Sequence, residues 1–165
     1  MNKSLYIAKG GMLTALSVIL LYLSFILPTN KLTLLTLSSL IIPVAIITMN
    51  IKSSILVYAS TSTIIFLLGL KSVFILYLLI FGPYGIIKLY IERLKKSYIE
   101  IILKLLYFNI TLSLLYLLSK ALLFQYINID FPLPLIVLLL QIGIFIYDYA
   151  LTLLINLFQR KILKK

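Results

Sequence analysis

Few residues in this chain could carry out acid–base, nucleophilic or metal chemistry. It has no Cys and no His, and its four acidic residues are Glu92, Glu100, Asp130 and Asp148. Thiolate nucleophiles, disulfides, imidazole metal sites and His-based catalytic triads are therefore excluded. The sequence also lacks a Walker A loop and the G-x-G-x-x-G and G-x-S-x-G motifs, so it predicts a protein that is not an enzyme and binds no metal or cofactor.

Asp148 is the acid with the most informative surroundings, because it lies within a long apolar run. A carboxylate inside a membrane helix costs about 2.5 kcal/mol or more, so it needs a partner, a proton or a wet cavity. Two interpretations stay open: a ligand, proton or ion contact, or a structural ion pair with Lys88 or Lys104. The polar residues that share its helical face at about 100° per residue are Gln141, Thr152 and Gln159.

Two further sets of polar residues follow helical spacing. The first set is Asn109, Ser113, Tyr116 and Lys120, and the second is Tyr77, Tyr84 and Lys88. Lys120 is either an anion contact in an outward pocket or an anchor at the membrane interface. The run Gly82-Pro83-Tyr84-Gly85 predicts a kinked or broken helix, which either lines a binding site or serves packing alone.

Composition places the chain in a membrane. Hydrophobic residues make up 63% of the chain and charged residues 12%, against about 25% in a soluble domain. This excludes a soluble globule and a disordered chain, and it predicts an all-α integral membrane protein. The net charge of +11 does not indicate nucleic-acid binding, because Lys outnumbers Arg thirteen to two and the basic residues separate apolar runs.

Six apolar runs are long enough to cross a bilayer, which needs about 20 residues per helix. The predicted spans are 11–27, 32–49, 53–70, 73–90, 102–124 and 133–158, forming a single transmembrane domain over 1–165. With both termini inside, twelve basic residues fall in cytoplasmic segments and three in outer segments. This positive-inside bias predicts a six-helix bundle in the plasma membrane with both termini cytoplasmic.

The first span carries a small-xxx-small pattern at its cytoplasmic end, formed by Gly11 and Ala15. Small residues at this spacing let another helix approach the backbone closely. The partner is either a helix of this bundle or a separate membrane protein.

The order of these features resembles the substrate-binding S component of energy-coupling factor (ECF) transporters. The similarity rests on the segment Gly10-Gly11-Met12-Leu13-Thr14-Ala15-Leu16 and on Ser38-Ser39-Leu40-Ile41-Ile42-Pro43-Val44-Ala45, followed by the turn Asn50-Ile51-Lys52. It covers the first 90 residues best. The chain departs from the family pattern in having Gly11 in place of the first Ala, short outer loops and no Trp.

The resemblance implies a membrane subunit that binds a small nutrient such as a vitamin. Gly11 and Ala15 would dock on a transmembrane coupling subunit, and two ABC-type ATPase subunits would power the cycle. The ligand would lie near the outer side, where Thr29, Asn30 and Lys31 match the loop after the first helix by position. The candidate ligand contacts are Asn30, Lys31, Tyr77, Tyr84, Tyr116, Lys120, Gln141 and Asp148.

Two other functions compete with transport. One is a structural or scaffold protein of the cell envelope, similar in length and helix number to the small rod-shape-determining membrane proteins. The other is a holin-like or accessory protein without a pocket. A transport module predicts that the polar stripes converge on one outward polar cavity, whereas a scaffold predicts that helix packing consumes them.

Overall fold

The computed structural model describes residues 3–94, 96–118 and 133–163, and every element within these ranges is helical. The helices are α1 Lys3–Ile26, α2 Lys31–Thr48, α3 Ile51–Leu67, α4 Lys71–Leu76, α5 Gly82–Glu92, α6 Ser97–Leu118 and α7 Leu133–Leu163. A 3-10 turn, Pro28–Asn30, precedes α2. A π turn, Tyr77–Phe81, joins α4 to α5 into one rod.

Five of these rods are long and apolar enough to cross a membrane: α1, α2, the joined α4 and α5, α6 and α7. The remaining helix, α3, is also apolar but has 17 residues. The predicted class, an all-helical multi-pass membrane protein, is therefore confirmed. The end of the fifth predicted span, 119–124, lies outside the described residues.

Local chemistry explains where α3 begins and ends. The Asn50 side chain accepts a hydrogen bond from the Ser53 N–H at 2.8 Å and so caps the first turn. Gly69 follows the helix with φ +73°, a conformation that a residue with a Cβ rarely adopts. The Leu70 N–H then bonds back to the Ile65 carbonyl at 3.3 Å, which closes the helix and turns the chain into α4.

The first three helices pack closely on one another through small hydroxyl residues. Ser38, Ser54 and Thr61 are fully buried, and each donates its hydroxyl hydrogen to a backbone carbonyl three or four residues earlier in its own helix. This local bond satisfies the hydroxyl without a partner helix. The small side chains therefore let the backbones approach, as in other membrane interfaces.

The π turn follows from Pro83. Proline has no N–H to donate to the carbonyl four residues earlier, so the Leu79 carbonyl loses its helical partner. The Gly82 N–H bonds to the Tyr77 carbonyl instead of the Leu78 carbonyl, which is the π spacing. Hydroxyl groups from neighbouring helices donate hydrogen bonds to the carbonyls that lack a helical partner. Tyr58 donates to the Leu78 carbonyl at 2.9 Å, and Tyr107 donates to the Leu79 carbonyl at 2.6 Å.

The last two helices, α6 and α7, contact the rest of the bundle at fewer places than the first three helices contact one another. The described part of α6 lies against α5 and the π turn, and α7 lies against α2. Their shared core is an aromatic layer in which the ring of Tyr84 packs on Phe108 at 4.7 Å and on Tyr147 at 5.4 Å between ring centroids. Leu40 and Leu151 complete the layer.

Candidate functional site

Five charged side chains meet between α5, α6 and α7, and we call them the ionic cluster: Lys88, Glu92, Glu100, Lys104 and Asp148. The cluster contains three of the four acidic residues of the chain. It lies where the last turn of α5 meets the first two turns of α6 and the middle of α7. The end of the bundle on this side is called the lower end, and the end at the turn between α1 and α2 is called the upper end.

Lys88 is the most buried member of the cluster, with 1% of its side chain exposed. Its ammonium group contacts the Asp148 carboxylate, lies 2.8 Å from Glu92 Oε1 and donates to Thr152 Oγ1 at 2.7 Å. All three ammonium hydrogens thus have an acceptor, which a buried lysine requires.

Lys104 holds the other side of the same carboxylate. Its Nζ lies 2.8 Å from Asp148 Oδ2 and 2.7 Å from Glu100 Oε1. The Tyr84 hydroxyl donates to Asp148 Oδ1, so α5 and α6 both bind this one side chain of α7. Asp148 therefore joins three helices, and one of the two open interpretations, a structural ion pair with Lys88 or Lys104, is confirmed with both lysines.

The cluster has a formal charge of −1, because three carboxylates face two ammonium groups. Its exposure rises from Lys88 to the carboxylates of Glu100 and Glu92, which are 28% and 38% exposed. The cluster is thus closed toward the bundle interior and reaches solvent or lipid head groups at its lower edge. The polar groups at its centre are used in holding helices together.

A cavity of about 570 Å³ lies beside the cluster, between α2, the π turn, α6 and α7. Its volume is in the range of small-molecule sites, about 300–1,000 Å³. The first turns of α2 and the described end of α6 line its upper part. Along α7 the lining continues to Leu154, beyond the level of Asp148. The aromatic layer of Tyr147 and Phe108 forms part of its wall.

Within the described ranges, the cavity wall is almost entirely apolar. Leu, Ile, Phe, Ala and Gly provide fifteen of the eighteen described lining residues, and none of these eighteen is charged. The remaining three, Thr33, Thr36 and Tyr147, already donate their hydroxyl hydrogens: Thr33 and Thr36 to backbone carbonyls and Tyr147 to Ser39 Oγ at 2.9 Å. This wall can offer van der Waals contact but few free donors to a ligand.

The predicted ligand residues are spread over several places. Asp148 and Tyr84 lie in or against the ionic cluster. Gln141 is half-buried on α7 and does not line the cavity, and Asn30 and Lys31 form the junction between the 3-10 turn and α2. Lys120 and the side chain of Tyr116 lie outside the described residues. None of the six described candidates, Tyr77 included, lines the cavity, and their binding of a ligand stays a prediction.

Tyr77 does not share a face with Tyr84 and Lys88, contrary to the helical spacing. Its ring lies 5.9 Å from that of Tyr58 on α3, whereas Tyr84 and Lys88 face α6 and α7. The π turn between them contains one residue more than an α turn, which rotates everything after it by about 100°. Periodicity of 3.6 residues could not show this rotation.

The polar stripe of α6 also points away from the cavity. Asn109 and Ser113 are exposed, and the Asn109 side chain donates to the Leu105 carbonyl of its own helix at 3.0 Å. The predicted convergence of polar stripes on one polar cavity is therefore not what the described residues show. The cavity residues Leu40, Phe108, Tyr147 and Leu151 carry no sequence signal beyond hydrophobicity.

Gly11 and Ala15 are both exposed on α1. A Cβ atom added at Gly11 meets nothing within 4 Å, whereas one added at Gly10 approaches Met49 and Val57. Within the described chain, the bundle therefore uses Gly10 for its own packing and leaves the Gly11 face open.

Comparisons with protein-family models, curated proteins and solved structures found no match to this chain.

Proposed function

We propose that this chain is the membrane-embedded substrate-binding subunit of an uptake transporter for a small nutrient, of the ECF type. The observation that carries the proposal is the cavity of about 570 Å³ between α2, the π turn, α6 and α7. A protein that serves only as a spacer in the membrane has no need of a space of ligand size within its bundle. The ionic cluster fixes α5, α6 and α7 to one another beside this cavity, so the cavity has a defined wall on that side.

The proposed topology has six spans, with α3 counted as a short one, and both termini in the cytoplasm. The twelve-to-three distribution of basic residues supports this orientation. The upper end of the bundle is then the outer side of the plasma membrane. The first turns of α2, which line the upper part of the cavity, lie on the side from which an imported nutrient arrives.

The open face of α1 is the proposed contact with a transmembrane coupling subunit. Gly11 and Ala15 are exposed near the lower end, on the cytoplasmic side in this topology. The chain contains no Walker A motif, so separate ABC-type ATPase subunits would supply the energy.

The test is purification of the tagged chain from its native membrane in mild detergent, with mass spectrometry of the bound proteins. We expect a second membrane subunit and two ABC-type ATPases. Gly11→Leu should lower their recovery at least about tenfold, which corresponds to 1.4 kcal/mol of association free energy. The matched control is Ala59→Leu, which places the same leucine side chain at an exposed position of α3 and should leave recovery unchanged. Equal recovery with Gly11→Leu would overturn the docking role of this face.

A scaffold of the cell envelope is the second candidate, and one observation favours it. The polar groups of α5, α6 and α7 at the ionic cluster bind one another. That is the outcome expected when polar stripes serve helix packing. Recovery of cell-envelope proteins in the same purification, with no ATPase, would support the scaffold and overturn the transport proposal.

A further inference from the structure

The chemistry of the cavity wall limits what the cavity can hold. Among its described lining residues, the polar side chains are Thr33, Thr36 and Tyr147, and the hydroxyl hydrogen of each is already donated within the protein. A ligand with many hydroxyl, amide or charged groups would bury them there without partners, at a cost of about 1–3 kcal/mol for each neutral group. The wall therefore favours a ligand, or part of a ligand, that is hydrocarbon.

The cavity is also long in one direction. Its lining residues on α7 extend from Leu140 to Leu154, about 21 Å at 1.5 Å per residue. A space of 570 Å³ with one wall of this length is elongated, and it follows the axis of a membrane-spanning helix. An extended hydrocarbon chain has this shape, whereas a compact ring system does not.

The cavity opens toward the bilayer. Ile146 is 64% exposed although it lines the cavity, and Gly143 and Ala150 are exposed beside it. These rim residues lie inside the candidate span of α7, Leu140–Leu157, so the opening is at the depth of the lipid tails. A molecule already in the membrane can reach the cavity sideways from there.

We infer that the cavity binds the hydrocarbon chain of a lipid-like molecule, which reaches it laterally past the rim of Gly143, Ile146 and Ala150. This inference deepens the proposed function, because it names the substrate class of the proposed binding subunit as an acyl- or isoprenoid-type chain in place of a water-soluble vitamin. The polar end of the molecule stays outside this wall, since the described lining residues offer it no charged contact.

Gly143 provides the means of testing the inference. A Cβ atom added at Gly143 meets nothing within 4 Å, so a larger side chain fits without moving the backbone and takes up cavity space. Gly143→Leu should narrow the lateral opening and fill the cavity space beside it, and Gly143→Ala should do so to a smaller extent. The same Ala59→Leu variant of α3 again controls for added bulk at an exposed membrane position.

The experiment is photolabelling of the purified full chain in lipid nanodiscs with a palmitic acid that carries a diazirine in its chain. Labelled peptides are identified by mass spectrometry, with unlabelled palmitic acid as competitor. We expect competable labelling concentrated on the cavity residues of α2, α6 and α7. Labelling should fall at least about fivefold in Gly143→Leu, fall less in Gly143→Ala, and stay unchanged in Ala59→Leu.

Labelling spread evenly over all exposed helices and unaffected by Gly143→Leu would overturn the inference, because it would show lipid around the protein only. Saturable binding of a water-soluble vitamin such as riboflavin or biotin, lost in Gly143→Leu, would overturn the substrate class and still support a transport subunit. Site-specific labelling without any recovery of ATPase partners would overturn the transport proposal and leave the lipid site in place.

Discussion

The first three helices and the last two are held in the bundle by different interactions. In α2, 44% of the membrane-spanning residues are buried, and α1, α2 and α3 approach through small residues. In α7 the buried share is 6%, and its attachment depends on Asp148, Tyr147 and the aromatic layer. Close packing through small residues holds the first three helices together, whereas attachment at a few strong points leaves the cavity beside α7.

The difference shows how a membrane bundle can combine a rigid part with a binding space. Small residues pack along a whole interface and exclude other molecules from it. Buried charged groups bind strongly over a short distance and need no contact above or below that level. The ionic cluster can therefore fix α6 and α7 at one level while they stay apart at another.

Asp148→Asn tests whether the ionic cluster is the main attachment of α7, and it should have the largest effect of the substitutions proposed here. Removing this charge leaves the cluster neutral, but Lys88, with 1% of its side chain exposed, loses its less exposed counter-charge and keeps only the more exposed Glu92. Breaking a buried ion pair costs about 3–5 kcal/mol, and the lower end applies because Glu92 still pairs with Lys88. The measurement is the free energy of unfolding in mixed detergent with rising dodecyl sulfate.

Glu100→Gln is the matched control for the Asp148 substitution. Glu100 also contacts Lys104, but it lies at the exposed edge of the cluster, where an ion pair contributes about 1 kcal/mol or less. If Asp148→Asn were no more destabilising than Glu100→Gln, the attachment of α7 would have to come from the aromatic layer instead.

Gly85→Leu tests the close packing of α5 on α2 and should have an intermediate effect. A Cβ atom at Gly85 would lie 2.7 Å from Pro43 Cδ, so α2 and α5 would have to move apart. Overpacking of this kind costs about 1–3 kcal/mol. In Gly11→Leu, where no atom lies within 4 Å, the free energy of unfolding should stay unchanged or rise slightly. Equal loss in both variants would contradict close packing at Gly85.

Tyr107→Phe and Tyr58→Phe compare the two regions at the π turn and should have the smallest effect. Each substitution removes a hydroxyl that donates a hydrogen bond to a backbone carbonyl of the turn. Such hydrogen bonds in membrane proteins contribute about 0.6 kcal/mol on average. The two losses of unfolding free energy should be similar. Amide hydrogen exchange should separate them, because only Tyr107→Phe removes an attachment of α6. Faster exchange of α6 in both variants would contradict the division into two regions.

The sequence predicted the membrane class, the apolar helices and the partners of Asp148 correctly, because each depends on composition, length or charge alone. A buried carboxylate must find a cation, and Lys88 and Lys104 were suitably placed. Pro83 predicted a disturbed helix, but the separation of Tyr77 from Tyr84 could not be predicted. The form of the disturbance, a π turn, also depends on the hydroxyl groups that α3 and α6 donate to its carbonyls. The apolar cavity depends on which helices are neighbours, which periodicity within one helix does not contain.

Asp148 attaches α7 to the bundle at the centre of the helix, so a change in helix tilt moves its two ends in opposite directions. Asp148 has fifteen helical residues on each side, so each end lies about 22 Å from it. The whole helix, about 46 Å long, exceeds the hydrocarbon thickness of about 30 Å, so α7 has to tilt or extend from the bilayer. A change of about 10° in tilt moves each end by about 4 Å, so we expect a change in bilayer thickness to alter the width of the lateral opening.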